Sequence, residues 1–214
     1  AGDADGALSF LEGLDGPEWY ALFIGYHRAL VAEVAGLKGE ADAAYQAIMD
    51  NVAAGGAAPD TWLRAAEAYA NFLARGGEKA KALGVLSRAD EFAAGRLPIE
   101  AGAEIRPLVD SPQAGATEVL LNLGTALNRG GGEAYVRLYL EYARALQPDN
   151  DQVLVQLAAI SEQQQNAEDA IAFYSRIPAD SPLKRVAELQ LGLNLADLDR
   201  HEEAVAHLKA LLDG

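Results

Sequence analysis

Three histidines are the side chains of this sequence best suited to metal binding or proton transfer. His201 and His207 lie six positions apart on one predicted helix, so they do not share a face as ligands at i and i+4 would. His27 stands alone in the chain. We interpret all three as surface or packing residues, and we predict no metal site and no catalytic histidine.

Two glycine-rich stretches and two acidic pairs have a superficial likeness to ligand-binding loops. RGGGEAY at 129–135 and GGEKAK at 76–81 lack the full glycine, lysine and hydroxyl spacing of a phosphate loop, and neither follows a strand. The acids in 149–152 and 197–200 lack the further ligands and the glycine of a calcium loop. We predict turns at the glycines and a helix cap at Asn150.

The composition and motifs of the chain exclude several kinds of covalent, metal-binding and nucleophilic site. The chain has no cysteine, which excludes disulfides, Cys-zinc sites and a thiol nucleophile, and it has no G-x-S-x-G elbow. We therefore predict a non-catalytic protein with no cofactor.

The charge and hydropathy of the chain limit its partners. The formal net charge is −15 and no cluster of Lys and Arg is present, so binding to nucleic acid is not expected. No apolar run reaches the roughly 18–20 residues of a membrane span, so membrane insertion is not expected either. The acidity indicates a well-solvated surface or, alternatively, attraction to a basic partner.

The predicted helices of this chain follow a repeating sequence pattern. A small residue followed by apolar residues four and seven positions later forms one helix face, and this pattern returns every 34 residues. Strict alternation is absent and β-branched residues are sparse, so we predict an all-α protein. The pattern is carried by Val136, Leu140 and Ala143, by Ala170, Tyr174 and Ile177, and by Ala204, Leu208 and Leu211.

The repeats divide the chain into three parts. Residues 117–214 contain three units in phase, 117–150, 151–184 and 185–214. Residues 1–94 contain degenerate helix pairs. Residues 95–116 contain three prolines and three glycines, which preclude a long helix, and form an irregular spacer. This spacer is either a surface loop or short-helix connection, or a segment packed along the groove of the array.

The units resemble the tetratricopeptide repeat (TPR) family. They share its small residue at the eighth position, which is Gly124, Ala158 and Gly192 in the three units, and its Pro near the end of the unit, at Pro148 and Pro182. The first departs from the family pattern at Val136, the second at Ser161 and the third at Glu188. The resemblance implies a right-handed superhelix of helix pairs whose first helices line a concave face.

In this family, fixed positions of the first helices usually contact a partner. The resemblance implies a non-catalytic scaffold or adaptor that binds a protein or peptide segment on its concave face. The lysines of a carboxylate clamp are missing, which favours a partly apolar extended or helical ligand. The implied contact residues are Leu121, Asn122, Thr125, Asn128, Arg129, Gln152, Val155, Gln156, Ala159, Glu162, Leu189 and Leu193.

Two other functions stay open. The chain could serve as a structural spacer or self-association module, including a homo-oligomer, or as the accessory region of a larger cell-envelope assembly or transferase protein. It also resembles an internal fragment of the long TPR proteins of α-proteobacteria, whose functions are unknown. These proteins often carry export signals, so that resemblance favours the periplasm over the cytoplasm.

Overall fold

The computed structural model describes residues 3–16, 18–52, 56, 58–89, 96–102, 104–129 and 133–211. Within these ranges the chain is helical and contains no strand. The described helices are α1 Ala4–Glu12, α2 Glu18–Val34, α3 Lys38–Asp50, α4 Pro59–Arg75, α5 Lys79–Ala89, α6 Arg96–Ala101, α7 Pro112–Arg129, α8 Glu133–Leu146, α9 Asp151–Gln163, α10 Ala167–Tyr174, α11 Lys184–Asp197 and α12 His201–Ala210.

Most of these helices are arranged in pairs. Helix α2 packs with α3, α4 with α5, α7 with α8, α9 with α10 and α11 with α12. The second helix of a pair also contacts the first helix of the next, as α3 does with α4, α8 with α9 and α10 with α11. The protein is therefore an all-α solenoid of TPR-like helix pairs, as the sequence predicts.

The turns inside the pairs α2–α3, α9–α10 and α11–α12 each use one residue in the left-handed conformation, whereas the glycine turn predicted at 129–132 lies largely outside the described residues. The φ angle is 76° at Gly36, 59° at Gln165 and 60° at Asp199. Glycine adopts this conformation without strain, whereas the other two side chains do so less readily. The next helix then starts at once: after Gln165, the Asn166 side chain accepts a hydrogen bond from the Asp169 N–H at 3.1 Å.

The small eighth residue of the unit lies where two paired helices approach each other. A Cβ atom on Gly124 would lie 3.4 Å from Leu140, and one on Gly192 would lie 2.8 Å from Leu208. Ala158 is fully buried at the same position of the middle unit. The small side chain therefore permits the close contact between the two helices of each pair.

Two departures from the TPR pattern are accommodated by hydrogen bonds. Ser161 is fully buried in α9, and its hydroxyl donates to the Leu157 carbonyl at 2.9 Å. Glu188 on α11 pairs with Lys184 at 2.7 Å and with His207 of α12 at 2.5 Å. A polar residue at either position is thus paired within its own helix or with the neighbouring one.

The spacer predicted at 95–116 contains one short helix and the start of the next helix. Residues 96–101 form α6, residues 104–111 are not helical, and α7 begins at Pro112 instead of residue 117. Ile99, Val109 and Ala114 are buried in the core that α2 to α5 build. The described part of this segment therefore packs against the N-terminal half instead of extending as a surface loop.

Helix α7 departs from a regular array. It contacts α2 and α4, the first helices of the two preceding pairs. A buried polar cluster lies in this contact and includes Tyr26 on α2, Arg64 on α4 and Glu118 on α7. The irregular segment before α7 thus lets this helix pack onto α2 and α4.

Candidate partner-binding site

The first helices of three pairs enclose a cleft of about 440 Å³. Helices α4, α7 and α9 supply most of its wall, and Leu183, immediately before α11, completes it. The residues that line this inner cleft are Asp60, Leu63, Arg64, Glu67, Leu121, Asn122, Thr125, Gln152, Gln156 and Leu183.

The inner cleft brings together five residues that the sequence selects for partner contact. They are Leu121, Asn122, Thr125, Gln152 and Gln156. The α4 side of the cleft was absent from the sequence prediction. The same repeat register applied to α4, with Trp62 at the fourth position, selects Asp60, Leu63 and Glu67, so the signal was present in the sequence.

The Glu118 carboxylate binds Arg64 and Asn122, two residues that line the inner cleft. Arg64 donates to it twice, from Nε to Oε1 at 2.9 Å and from Nη2 to Oε2 at 3.1 Å. The Tyr26 hydroxyl donates to Oε1 at 2.9 Å, and Asn122 Nδ2 donates to the same atom at 3.0 Å. These four hydrogen bonds satisfy a carboxylate that is almost completely buried.

The ionisation of this cluster follows from its burial and its pairing. Burial alone would raise the pKa of Glu118, but the Arg64 guanidinium and the donated hydrogen bonds hold it below its usual value. Burial, together with the Glu118 charge, raises the pKa of Tyr26 well above its usual value. At neutral pH the cluster therefore holds an ionised carboxylate, a guanidinium and a neutral phenol.

The predicted contact residues differ in their exposure. Leu121 and Asn122 are buried, and the Asn122 amide is engaged with Glu118. The half-buried residues are Thr125, Gln152, Val155, Gln156, Ala159 and Glu162, and the exposed ones are Leu189 and Leu193. Asn128 and Arg129 belong to α7, but their side chains lie outside the described residues.

Several of the half-buried polar groups are already bonded within the chain. The Thr125 hydroxyl donates to main-chain carbonyls of α7, and Glu162 accepts a hydrogen bond from Asn194 Nδ2 at 2.5 Å. Val155 packs against the core shared by α9 to α12. Gln152 and Gln156 are thus the uncharged polar side chains of the inner cleft best placed to meet a ligand.

An apolar surface on α11 begins beside the inner cleft. Val186, Leu189 and Leu193 have exposed fractions of 50%, 43% and 47% and follow one another at helical spacing. We call these three residues the α11 stripe. Leu183 lines the cleft and lies three residues before Val186, so the stripe begins one helical turn from the cleft wall.

The histidines are well separated in the structure. His207 pairs with Glu188, His201 is exposed, and His27 is buried on α2. Among the described residues no group of three His, Asp or Glu side chains is placed to hold a metal ion. No described helix is both long and apolar enough to cross a bilayer.

Comparisons with known proteins find only loose similarity. No protein-family model matches the chain, and no curated protein matches it. Two crystal structures of MamA are each 17% identical, with a TM-score of 0.43; one match covers 85% of this chain and 91% of that one, the other 90% of each. A MamA mutant is 22% identical over 72% of this chain and 78% of its own, with a TM-score of 0.41.

Proposed function

We propose that this chain is a non-catalytic scaffold that binds a protein segment along the inner cleft and the α11 stripe. The observation that carries the proposal is the proximity of a cleft lined by α4, α7 and α9 to three exposed apolar residues at helical spacing on α11. Exposed apolar residues beside a polar cleft are typical of a recognition surface.

The chemistry of the surface defines the partner. The α11 stripe requires apolar side chains, as an amphipathic helix or an extended segment would offer. Gln152 and Gln156 can donate to and accept from polar groups of such a segment. The net charge of −15 favours a segment that also carries Lys or Arg. The proposed partner is therefore a partly apolar, basic segment.

A crosslinking pull-down from native envelope and cytosolic extracts tests this proposal. The variant carries Leu189→Glu and Leu193→Glu, both at exposed positions, so the helices should be retained in circular dichroism. Leu121 is unsuitable as a probe because it is buried in the core. Val205→Glu on α12 is the matched control, since Val205 is also an exposed apolar residue, with an exposed fraction of 46%.

We expect a partner that the parent and Val205→Glu capture equally and that the double variant captures at least about tenfold less, as expected when two apolar anchors are lost. The captured segment should contain apolar residues and Lys or Arg. Equal capture by all three proteins would overturn the proposal, as would the absence of any specific partner from both extracts.

A second candidate function is self-association, and a different surface favours it. Tyr135, Leu138 and Tyr142 are exposed on α8 and lie at helical spacing. A second copy could cover this face. Light scattering over a concentration series tests this function: a dimer that Tyr142→Lys converts to monomer would support it, whereas a monomer at all concentrations would contradict it.

A further inference from the structure

A second cleft lies between α1, α2 and the start of α7. Its volume is about 620 Å³, which is within the range of small-molecule sites. We call it the apolar cleft because most of its wall is aliphatic or aromatic. Its polar lining residues are Asp3, His27 and Ser111, and Val109 and Gly115 are among the others.

Two of the three polar side chains of the apolar cleft are engaged in helix caps. Asp3 Oδ1 accepts a hydrogen bond from the Gly6 N–H at 2.8 Å and begins α1. Ser111 Oγ accepts one from the Ala114 N–H at 3.1 Å beside the start of α7. Their positions are therefore explained by the fold alone.

His27 is different. Its exposed fraction is 5%, and its Nε2 atom is buried without a hydrogen-bond partner among the described residues. Buried polar atoms in native proteins are almost always paired, so an unpaired one calls for an explanation. The ring packs edge-on against Phe23, with centroids 4.3 Å apart. His27 lines the apolar cleft, and because the terminal ring torsion of histidine is broad, rotation about it is the movement that would present Nε2 to a bound group.

The ring is uncharged under physiological conditions. Burial lowers the pKa of His27 from 6.5 to about 4, against the opposing effect of the Glu118 carboxylate. A neutral imidazole has one nitrogen that donates and one that accepts, so Nε2 can pair with a hydroxyl or, in the other tautomer, with a carbonyl oxygen.

The surroundings of the apolar cleft disfavour an anionic ligand. None of its lining residues is Lys or Arg, and Asp3 lies in the wall. Glu118 adds a second carboxylate close enough to act on the charge of His27. An anion placed here would be desolvated and unpaired. We infer that the apolar cleft binds a neutral, mainly apolar small molecule that carries one hydroxyl or carbonyl group for His27.

Isothermal titration with three eight-carbon probes tests this inference. The probes are 1-octanol, 2-octanone and octanoate, which share an aliphatic chain and differ in the polar group. We expect 1-octanol or 2-octanone to bind at one site, with octanoate at least about tenfold weaker because its charge would be buried without a partner. Replacement of His27 by Phe should weaken the better neutral probe about two- to tenfold, the effect of one lost hydrogen bond.

Gly115 provides a second variant that does not depend on His27. A Cβ at this position would meet only Val109, at 3.6 Å, so Gly115→Ala should fold normally and bind the probe. Gly115→Leu extends a side chain into the apolar cleft and should abolish binding, with circular dichroism as the check on folding. The inference would be overturned by no binding of any probe, by octanoate binding as tightly as 1-octanol, or by unchanged binding to both His27→Phe and Gly115→Leu.

Discussion

Arg64 on α4 and Glu118 on α7 form a buried two-point ion pair, with Nε and Nη2 of the guanidinium 2.9 and 3.1 Å from the two carboxylate oxygens. This pair joins α4 in the N-terminal half to α7, which follows the irregular segment 104–111. It also fixes the position of α7, because Tyr26 and Asn122 bind the same carboxylate. The shape of the inner cleft therefore depends on this cluster.

Replacement of Glu118 by Gln should strongly destabilise the protein. The change removes the buried carboxylate that pairs with Arg64 and leaves it only the partly exposed Glu67 carboxylate at 3.2 Å. Breaking a buried ion pair typically costs about 3–5 kcal/mol. Urea unfolding followed by circular dichroism measures the loss. Glu203→Gln is the control: it breaks the exposed pair with Arg200 and should leave stability nearly unchanged. Equal stability of the parent and Glu118→Gln would show that the pair does not join the two halves.

Removal of the Tyr26 hydroxyl should have a smaller effect. Tyr26→Phe deletes one hydrogen bond to the buried carboxylate at 2.9 Å, and a hydrogen bond to a charged group contributes about 1.5–3 kcal/mol. In the Glu118→Gln background the same change should cost less, because both residues belong to one network. The four urea-unfolding free energies of this cycle provide the measurement, and strict additivity would contradict the network.

The inner cleft shows which features can be found in the sequence. The repeat register selects Leu121 and Gln152 directly, and when applied to α4 it also selects Leu63 and Glu67, because the spacing of residues on a helix fixes which face they share. The start of α9 at Asp151 follows from the same register and from the cap at Asn150, whereas α7 begins at Pro112, before the predicted unit.

The contact between α7 and the N-terminal half could not be predicted from the repeat register. Glu118 lies 54 residues from Arg64 and 92 from Tyr26, and an ion pair at such separations leaves no periodic signal. The apolar cleft is equally non-local, because α1, α2 and the start of α7 meet there. The burial of His27 likewise depends on helices that are distant from one another in the chain.

Acidification should destabilise the protein in a range that His27 defines. The pKa of His27 is about 4 in the folded protein, whereas an unperturbed histidine, as in the unfolded chain, has a pKa of 6.5. Between these two pH values the unfolded chain therefore binds more protons than the folded protein. Stability should therefore fall as the pH decreases from about 6.5 to 4, by about 3 kcal/mol for a shift of this size. Glu118, whose pKa is also lowered, adds a further loss at still lower pH.

Urea unfolding at several pH values checks this dependence. His27→Phe removes the titrating group and should flatten the profile between pH 6.5 and 4, with the loss attributed to Glu118 retained below that range. His201→Phe is the matched control, because His201 is exposed and its replacement should leave the profile of the parent unchanged. A parent profile that is flat down to pH 4 would show that His27 titrates normally.

Replacement of Gly124 and Gly192, the two glycines at the eighth position of a unit, by alanine should change the stability of the protein differently. In an open helix Gly→Ala stabilises by about 0.8–1 kcal/mol. At Gly124 the new Cβ would lie 3.4 Å from Leu140, a distance that slight relaxation accommodates, so Gly124→Ala should be neutral or stabilising. At Gly192 it would lie 2.8 Å from both Leu208 Cγ and Cδ2 and 3.4 Å from the Ala204 carbonyl, so α11 and α12 must shift apart. Gly192→Ala should therefore cost about 1–3 kcal/mol, as overpacked cores do. Thermal unfolding of the two variants compares them directly, and a Gly192→Ala protein as stable as Gly124→Ala would show that Leu208 can move away without cost.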